Sequence, residues 1–167
     1  MRQTRPMTTA QALRLIRQHK PVTPAQWKAL RLKFRFIGAG VFREVCRIVG
    51  TDLVVKSPLS EGRGAKLDYS QGIQHSKSEM NRLARLAKID VLKPYLPTVH
   101  YYDAKYGIIV MKFYPAIPAN KKVELLGRVI KSLVSKLAGV TMSDIHDDNI
   151  RQKRSDWQVP VFTDLGY

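Results

Sequence analysis

The sequence Asp144-Ile145-His146-Asp147-Asp148-Asn149, followed by Val161-Phe162-Thr163-Asp164-Leu165-Gly166, places carboxylate and amide side chains at fixed intervals near the end of the chain. In a phosphoryl-transfer site one carboxylate orients the hydroxyl nucleophile, while an amide oxygen and a second carboxylate hold the magnesium that bridges the phosphates. Magnesium prefers such hard oxygen ligands and takes few of them from the protein. The stretch therefore predicts a phosphoryl-transfer site, with two polar turns as the alternative, and a nucleotide site should lie upstream.

The composition is that of a strongly basic protein. The 167-residue chain carries a formal charge of +16 and has a pI near 10.2, which implies an anionic partner such as nucleic acid, a nucleotide, an acidic protein or a membrane surface. Residues 1–43 contain ten Lys or Arg and no Asp or Glu, whereas five of the thirteen acids lie between Asp144 and Asp164. The gathered acids are consistent with a metal site, although turns also favour Asp.

Cysteine usage and hydropathy narrow the class of protein. Cys46 is the single cysteine, so neither a disulfide framework nor a cysteine-rich metal site is expected. No apolar run approaches the length that spans a membrane, and the N-terminus lacks the apolar core of a signal peptide. We expect a cytoplasmic protein with no membrane association, built as one domain or as a small two-lobed one.

Two short basic helices are predicted before the first strand. Thr8 or Thr9 can cap a helix over residues 10–19, and Thr23-Pro24 is a typical start for a second helix. The helices could bind nucleic acid, or they could pack on the following domain and keep their charges in water, which is slightly favoured. We expect residues 1–33 to form an extension that covers or lengthens the second lobe.

A change of hydrophobic period at Phe34 marks the start of a sheet. Apolar residues predict two strands on either side of a turn at Gly38-Ala39-Gly40, and a third strand over 53–56. Residues 57–72 have the composition of a flexible loop. The elements predicted after it are a helix from 76 or 78 to 88, strands 98–102 and 107–113, a long helix 121–138, a polar turn 151–158 and a last strand 159–163.

The upstream segments carry residues that suit a nucleotide. Gly38 and Gly40 let a hairpin backbone lie close to phosphates, because no Cβ intervenes. Lys56 at the strand end can reach the α- and β-phosphates, and Glu79 on the following helix can supply its counter-charge. The stretch Met111-Lys112-Phe113 would lead into a link between two lobes whose backbone faces an adenine. These predictions agree with one another in chain order, which makes them more specific together than singly.

This order of elements resembles the protein-kinase-like superfamily from about Phe34 to Gly166. The sequence from Gly38 to Val45 matches the pattern G-x-G-x-x-G-x-V at three of its four defined positions. The other motifs that carry the resemblance are Val54-Val55-Lys56, which looks like the strand-three lysine motif, Asp144 and Asn149 at the catalytic-loop spacing, and Asp164-Leu165-Gly166, which looks like D-F-G.

The resemblance implies ATP and Mg²⁺ as cofactors and assigns roles to single residues. Asp144 would be the catalytic base, with Lys56 and Glu79 aligning the phosphates. Asn149 and Asp164 would bind the metal. The residues implied in cofactor binding are Gly38, Gly40, Val45, Lys56, Met111 (at the gatekeeper position), Phe113 and His146.

Several positions depart from the family pattern. Arg43 replaces the third glycine, and Met142-Ser143-Asp144 stands where the family has H-R-D. His146 resembles a feature of antibiotic phosphotransferases and related small-molecule kinases. The family holds its acceptor in a segment after the D-F-G motif, and here only Tyr167 follows, so we expect a reduced second lobe.

The sequence thus predicts an α+β fold with a kinase-like small lobe, an antiparallel sheet plus one helix, and a truncated, mostly helical second lobe. The predicted divisions are 1–33, 34–113 and 114–167. The predicted function is a minimal Ser/Thr protein kinase that phosphorylates a protein, its own chain included. The alternatives are a catalytically inactive kinase-like protein that binds nucleic acid or an acidic protein, and, less favoured, a small-molecule kinase. The sequence also allows binding of nucleic acid through residues 1–43 and association of two copies of the chain as a homodimer.

Overall fold

The protein has an α+β fold, as the sequence predicts. The computed structural model describes residues 7–21, 23–59, 69–115, 128–129, 132–137, 150–152 and 160–163. The chain divides into two compact units, one of residues 1–76 and 99–113 and the other of residues 77–98 and 114–167. Within the described part of the chain, no helix is long and apolar enough to cross a membrane.

The described elements include the predicted ones in their predicted order, with shifted boundaries, and the structure adds a 3₁₀ helix and a strand over residues 150–152. The elements are α1 (Thr9–His19), α2 (Pro24–Ala29), β1 (Phe34–Ala39), β2 (Arg43–Ile48), β3 (Leu53–Pro58), α3 (Tyr69–Leu86), a 3₁₀ helix (Asp90–Tyr95), β4 (Val99–Asp103), β5 (Ile108–Lys112), β6 (Ile150–Gln152) and β7 (Pro160–Phe162).

Five strands form one antiparallel sheet in the order β1-β2-β3-β5-β4, with α3 inserted between β3 and β4. The first hairpin differs from the prediction, which put its turn at Gly38-Ala39-Gly40. Gly38 and Ala39 pair with β2 and extend β1, after a register shift that follows Phe36. The turn lies one to two residues later and is closed by a hydrogen bond of 2.9 Å from the Gly40 N–H to the Arg43 carbonyl.

Helices α1 and α2 begin at the threonines that the sequence indicates. Thr8 and Thr23 each accept a hydrogen bond from the backbone of the glutamine three residues later, whose side chain accepts one from the threonine N–H. This reciprocal arrangement satisfies two otherwise unpaired N–H groups at each helix start. Helix α2 ends at Ala29, and Arg31 then takes a left-handed conformation, with φ of 55°.

The two N-terminal helices pack on the five-stranded sheet. This agrees with the packing alternative, and the helices belong to the same compact unit as the sheet instead of lengthening the second one. Apolar residues of α1, of the segment after α2 and of the sheet form one core, because burying the apolar face of each helix requires an apolar sheet face opposite it. The buried members of this core, here called the helix–sheet core, are Ala12, Ile16, Leu30, Leu32, Ile48, Leu53, Val55, Ile108 and Val110.

Helix α3 starts earlier than predicted, so part of the stretch 57–72 is not a loop. The helix begins at Tyr69 and contains Gly72 in its first turn. A Cβ at Gly72 would lie 2.7 Å from the Phe42 carbonyl oxygen and 2.7 Å from Pro58 Cβ. Gly72 is therefore a packing glycine inside a helix, where the composition suggested a chain break.

The second unit contains the rest of α3, the 3₁₀ helix and the β6–β7 hairpin. Tyr114 is buried, and its hydroxyl oxygen accepts a hydrogen bond of 3.0 Å from the Thr98 N–H. Residues 128–129 and 132–137 are helical and lie inside the predicted helix 121–138. The predicted polar turn 151–158 is wrong at its start, because residues 151 and 152 belong to β6, which pairs with β7.

Candidate active site

Lys56 lies in the central strand of the sheet. It pairs with Val45 on β2 and with Ile109 on β5. Its side chain is only 4% exposed, although an ammonium group loses strong hydration when it is buried. A cation in this position needs anionic or hydrogen-bonding groups around it. The phosphates of a bound nucleotide are groups of this kind.

Three of the residues predicted to bind the cofactor share one face of the sheet. Side chains alternate along a strand, and Val55 belongs to the helix–sheet core, so its neighbour Lys56 points to the opposite face. Val45 is on the same face as Lys56 because the two are paired. Met111 pairs with Val54 and lies on this face as well. The face away from α1 and α2, here called the lysine face, thus carries Val45, Lys56 and Met111.

Phe113 follows β5 and is held at the end of the sheet. Its N–H donates a hydrogen bond of 2.6 Å to the Asp52 carbonyl. The guanidinium carbon of Arg47 lies 4.1 Å from the centre of the Phe113 ring, and an Arg47 Nη donates to the Thr51 carbonyl. Arg47 was not predicted from the sequence. The sequence feature that could have indicated Arg47 is its position two residues after Val45, because residues at this spacing in a strand lie on the same face of the sheet.

The glycines of the first hairpin have no packing role in the described part of the chain. A Cβ added to Gly38 or Gly40 would meet nothing there within 4 Å. Neither glycine adopts a positive φ, since the glycines that do are Gly50 and Gly107. The described fold would thus tolerate a side chain at both positions. A side chain there would, however, keep a ligand from lying close against the hairpin backbone.

The tip of this hairpin is anchored through Phe42, another residue whose role was not predicted from the sequence. The Phe42 carbonyl accepts a hydrogen bond of 3.0 Å from the Leu59 N–H. Its ring lies 4.2 Å from the His75 ring, centre to centre. Gly72, one turn before His75 on α3, packs against the same carbonyl. The hairpin tip is therefore held by Leu59, directly after β3, and by the start of α3.

We expect Gly72→Ala and Gly40→Ala to separate packing from ligand binding. Gly72→Ala should lower stability by about 1–2 kcal/mol, because the clash with a backbone oxygen and a proline ring outweighs the gain in helix propensity. Gly40→Ala should change stability by less than about 0.5 kcal/mol but weaken nucleotide binding. Thermal unfolding with and without nucleotide measures both effects. Equal losses of melting temperature in the two variants would make the hairpin glycine structural.

Glu79 is the predicted partner of Lys56, and it is buried too. It lies on α3 one turn after His75, so the two side chains share a side of that helix. Its 2% exposure is unusual for a carboxylate, which is seldom buried without a partner. The structure thus gives Lys56 and Glu79 matching requirements for a counter-charge, and their pairing stays a prediction.

The remaining predicted site residues lie outside the described residues. These are Asp144, His146, Asn149 and Asp164. The β6–β7 hairpin lies next to them in sequence, and its register pairs Ile150 with Phe162. The chain therefore enters β6 directly after Asn149 and leaves β7 two residues before Asp164, at the same end of the hairpin. In the described ranges, no three His, Cys, Asp or Glu side chains are grouped as metal ligands.

In the part of the chain that the structure describes, clearly shifted pKa values belong to three neighbouring residues of β4. Burial is the main cause of the lowered pKa of His100; the charge of Asp52 opposes the shift, and those of Arg17 and Lys112 add to it. Burial also raises the pKa of Tyr101 and of Tyr102, and the nearby Asp103 carboxylate adds to both shifts. These pKa shifts result mainly from burial of side chains on the edge strand β4, and they do not identify a catalytic group.

Comparison with protein-family models gives no match, and neither does comparison with curated proteins. Among solved structures, the chain is similar to APH(2'')-IIa in its ternary complex with streptomycin and ATP, with a TM-score of 0.43 and 15% sequence identity. The similarity covers 82% of this chain and 48% of that one, so this chain spans about half the length of that structure.

Proposed function

We propose that this protein is an ATP- and magnesium-dependent phosphotransferase that phosphorylates Ser or Thr side chains of proteins, its own chain included. The observation that carries the proposal is Lys56, a cation 4% exposed in the central strand of a sheet. It is paired to β2 of the glycine hairpin, whose Gly38 and Gly40 have no role in the described packing. A buried cation next to an accessible backbone is what polyphosphate binding requires.

The lysine face supplies the nucleotide half of the proposed site. Lys56 neutralises the α- and β-phosphates, and Glu79 holds its ammonium group in position. Val45 and Met111 contribute apolar walls for the base, with backbone groups near Phe113 facing its edge. An apolar wall with a few fixed polar groups is the usual composition of a nucleotide pocket.

The segments next to β6 and β7 supply the catalytic half. Asp144 accepts the proton of the attacking hydroxyl group, and His146 contacts a phosphate. Asn149 and Asp164 present one amide and one carboxylate oxygen, a donor set that suits Mg²⁺. The ion, when bound, neutralises charge on the phosphates. The protein itself mainly positions the reactants and stabilises the developing charge.

A non-catalytic binding protein is the second candidate. It is favoured by the basic residues at the start of the chain, where residues 1–43 contain ten Lys or Arg and no acid. On this view the sheet and the buried lysine are retained as a scaffold, and the basic surface holds an acidic partner.

Incubation of the protein with γ-labelled ATP and a generic protein acceptor tests the proposal, with magnesium or with EDTA, beside the Asp144→Ala and Asp164→Ala variants. We expect label on the acceptor or on the protein itself, lost in both variants and with EDTA. ATP at a hundredfold excess over its Kd should add about 2.7 kcal/mol of stability. A rise in melting temperature with ATP but without transfer of label would favour the second candidate. The absence of both effects would overturn the nucleotide site.

A further inference from the structure

The turn between β2 and β3 connects helix α1 to the residue that follows β5. The Thr9 hydroxyl, in the first turn of α1, donates a hydrogen bond to the Asp52 carboxylate and accepts one of 3.2 Å from the Asp52 N–H. The Asp52 carbonyl accepts the hydrogen bond of 2.6 Å from the Phe113 N–H. Both backbone polar groups of Asp52 are therefore engaged, and this one residue links Thr9 to Phe113.

The turn that carries this link is also braced from within. Thr51 is buried, and its hydroxyl donates to the Ile48 carbonyl at 2.8 Å and accepts from the Leu53 N–H at 3.2 Å. Arg47, whose guanidinium lies over the Phe113 ring, donates to the Thr51 carbonyl. Because the turn is fixed at several points, a displacement of the turn would move Phe113 with it.

The last part of α1 is bonded to the strand on the other side of β5. Arg17 donates a hydrogen bond of 3.2 Å to the His100 carbonyl. His100 lies at the register shift of the β4–β5 pair, directly after Val99, whose partner is Met111. A register shift interrupts the ladder of backbone hydrogen bonds. Since β5 lies between β3 and β4, α1 is hydrogen-bonded on both sides of the end of β5.

We propose that Thr9 and Arg17 are positioning residues for the nucleotide base, because they hold the stretch Met111-Lys112-Phe113 where its backbone meets the edge of the base. This inference rests on the proposed function, which assigns Met111 and the backbone near Phe113 to the base and Lys56 to the phosphates. Neither residue of α1 is assigned a contact with the nucleotide. Small misplacements of a binding group weaken the interactions that it makes.

A purely structural role of these hydrogen bonds leads to a different expectation. Ala12 and Ile16 already anchor α1 in the helix–sheet core. If the polar contacts only stabilised the fold, their loss would lower the folded fraction and weaken every ligand of the sheet by the same factor. Loss of positioning would instead weaken ATP and spare a ligand that has phosphates but no base. Inorganic tripolyphosphate is such a ligand.

Isothermal titration of the full chain with ATP and magnesium tests the proposal, together with displacement of ATP by tripolyphosphate, so that only binding at the same site is counted. Thr9→Val removes the hydroxyl at nearly constant volume and should weaken ATP binding about three- to tenfold. The affinity for tripolyphosphate should change by less than about twofold. Thr9→Ser keeps the hydroxyl and should retain the affinity for ATP. Arg17→Met should act like Thr9→Val, and it provides the test if Thr9→Val does not fold.

Thr23→Val and Arg14→Met are the matched controls. Thr23→Val removes the capping hydroxyl of α2 and destabilises the fold by a change of the same kind. Arg14→Met removes one positive charge from the exposed side of α1, as Arg17→Met does. Both controls should leave the ratio of the affinities for ATP and tripolyphosphate unchanged. Thermal unfolding of each variant measures its stability.

A wild-type chain that binds neither ligand would overturn the proposed function, and this inference with it. If the wild type binds both ligands, three results would overturn the inference alone. The first is an unchanged affinity for ATP in Thr9→Val and Arg17→Met. The second is an equal loss of both affinities in these variants, which would make the role of α1 structural. The third is a changed ratio of the two affinities in the controls.

Discussion

Replacing Lys56 by methionine is expected to abolish phosphoryl transfer and to destabilise the fold at the same time. Transfer should fall by at least about a hundredfold, because a fixed charge that stabilises the reacting phosphates is lost. Stability should fall by about 3–5 kcal/mol if Glu79 is the partner, since a buried carboxylate is then left without its counter-charge. Lys105→Met, at an exposed position of the β4–β5 turn, is the matched control and should change neither quantity appreciably.

The same variant tests the pairing of Lys56 with Glu79 in a double-mutant cycle. Glu79→Leu alone should cost a similar amount of stability, whereas the double variant should recover much of it, because replacing a buried pair by apolar residues is often neutral. Transfer should remain absent in all three proteins. Urea unfolding supplies the free energies. Losses that simply add would show that the two buried groups have separate partners.

The parts of the fold that the sequence predicts well are those with local causes. Thr8 and Thr23 start helices because their side chains bond to backbone groups within one turn, and the structure confirms both caps. The apolar run before Lys56 likewise predicted its strand, which the structure extends to Pro58. The prediction was wrong at Gly72, because glycine is a common loop residue. The close contact of Gly72 with Phe42 and Pro58 explains why a glycine occupies this position of the helix.

The parts of the candidate site that could be predicted from the sequence are those that depend on the order of the strands. Val45, Lys56 and Met111 come from three strands that the sequence places in one sheet, and their register brings them to one face. The contact of Phe42 with His75 joins segments about thirty residues apart, which no local period encodes. The roles of Asp144 and Asp164 stay predictions from motif spacing, because both lie outside the described residues.

The packing of α1 could not be derived either, since an amphipathic helix shows that it has an apolar face but not which surface covers that face. Ile16 is fully buried in the helix–sheet core, so Ile16→Ala is expected to cost about 2–5 kcal/mol. Arg14→Ala, on the exposed side of the same helix, should change stability by less than about 0.5 kcal/mol. Chemical unfolding of the two variants measures the difference.

Removal of residues 1–33 should have a larger effect still and leave the sheet unfolded or insoluble, because it bares the apolar residues of three strands, among them Leu53, Val55 and Val110. A truncated protein that unfolds cooperatively at the melting temperature of the full chain would show that the helices contribute nothing to the sheet. On the packing described, the basic helices are part of the lobe that carries Lys56. Loss of nucleic-acid binding in such a truncation would therefore report unfolding as readily as a lost contact, and only point variants on the exposed surface can separate the two.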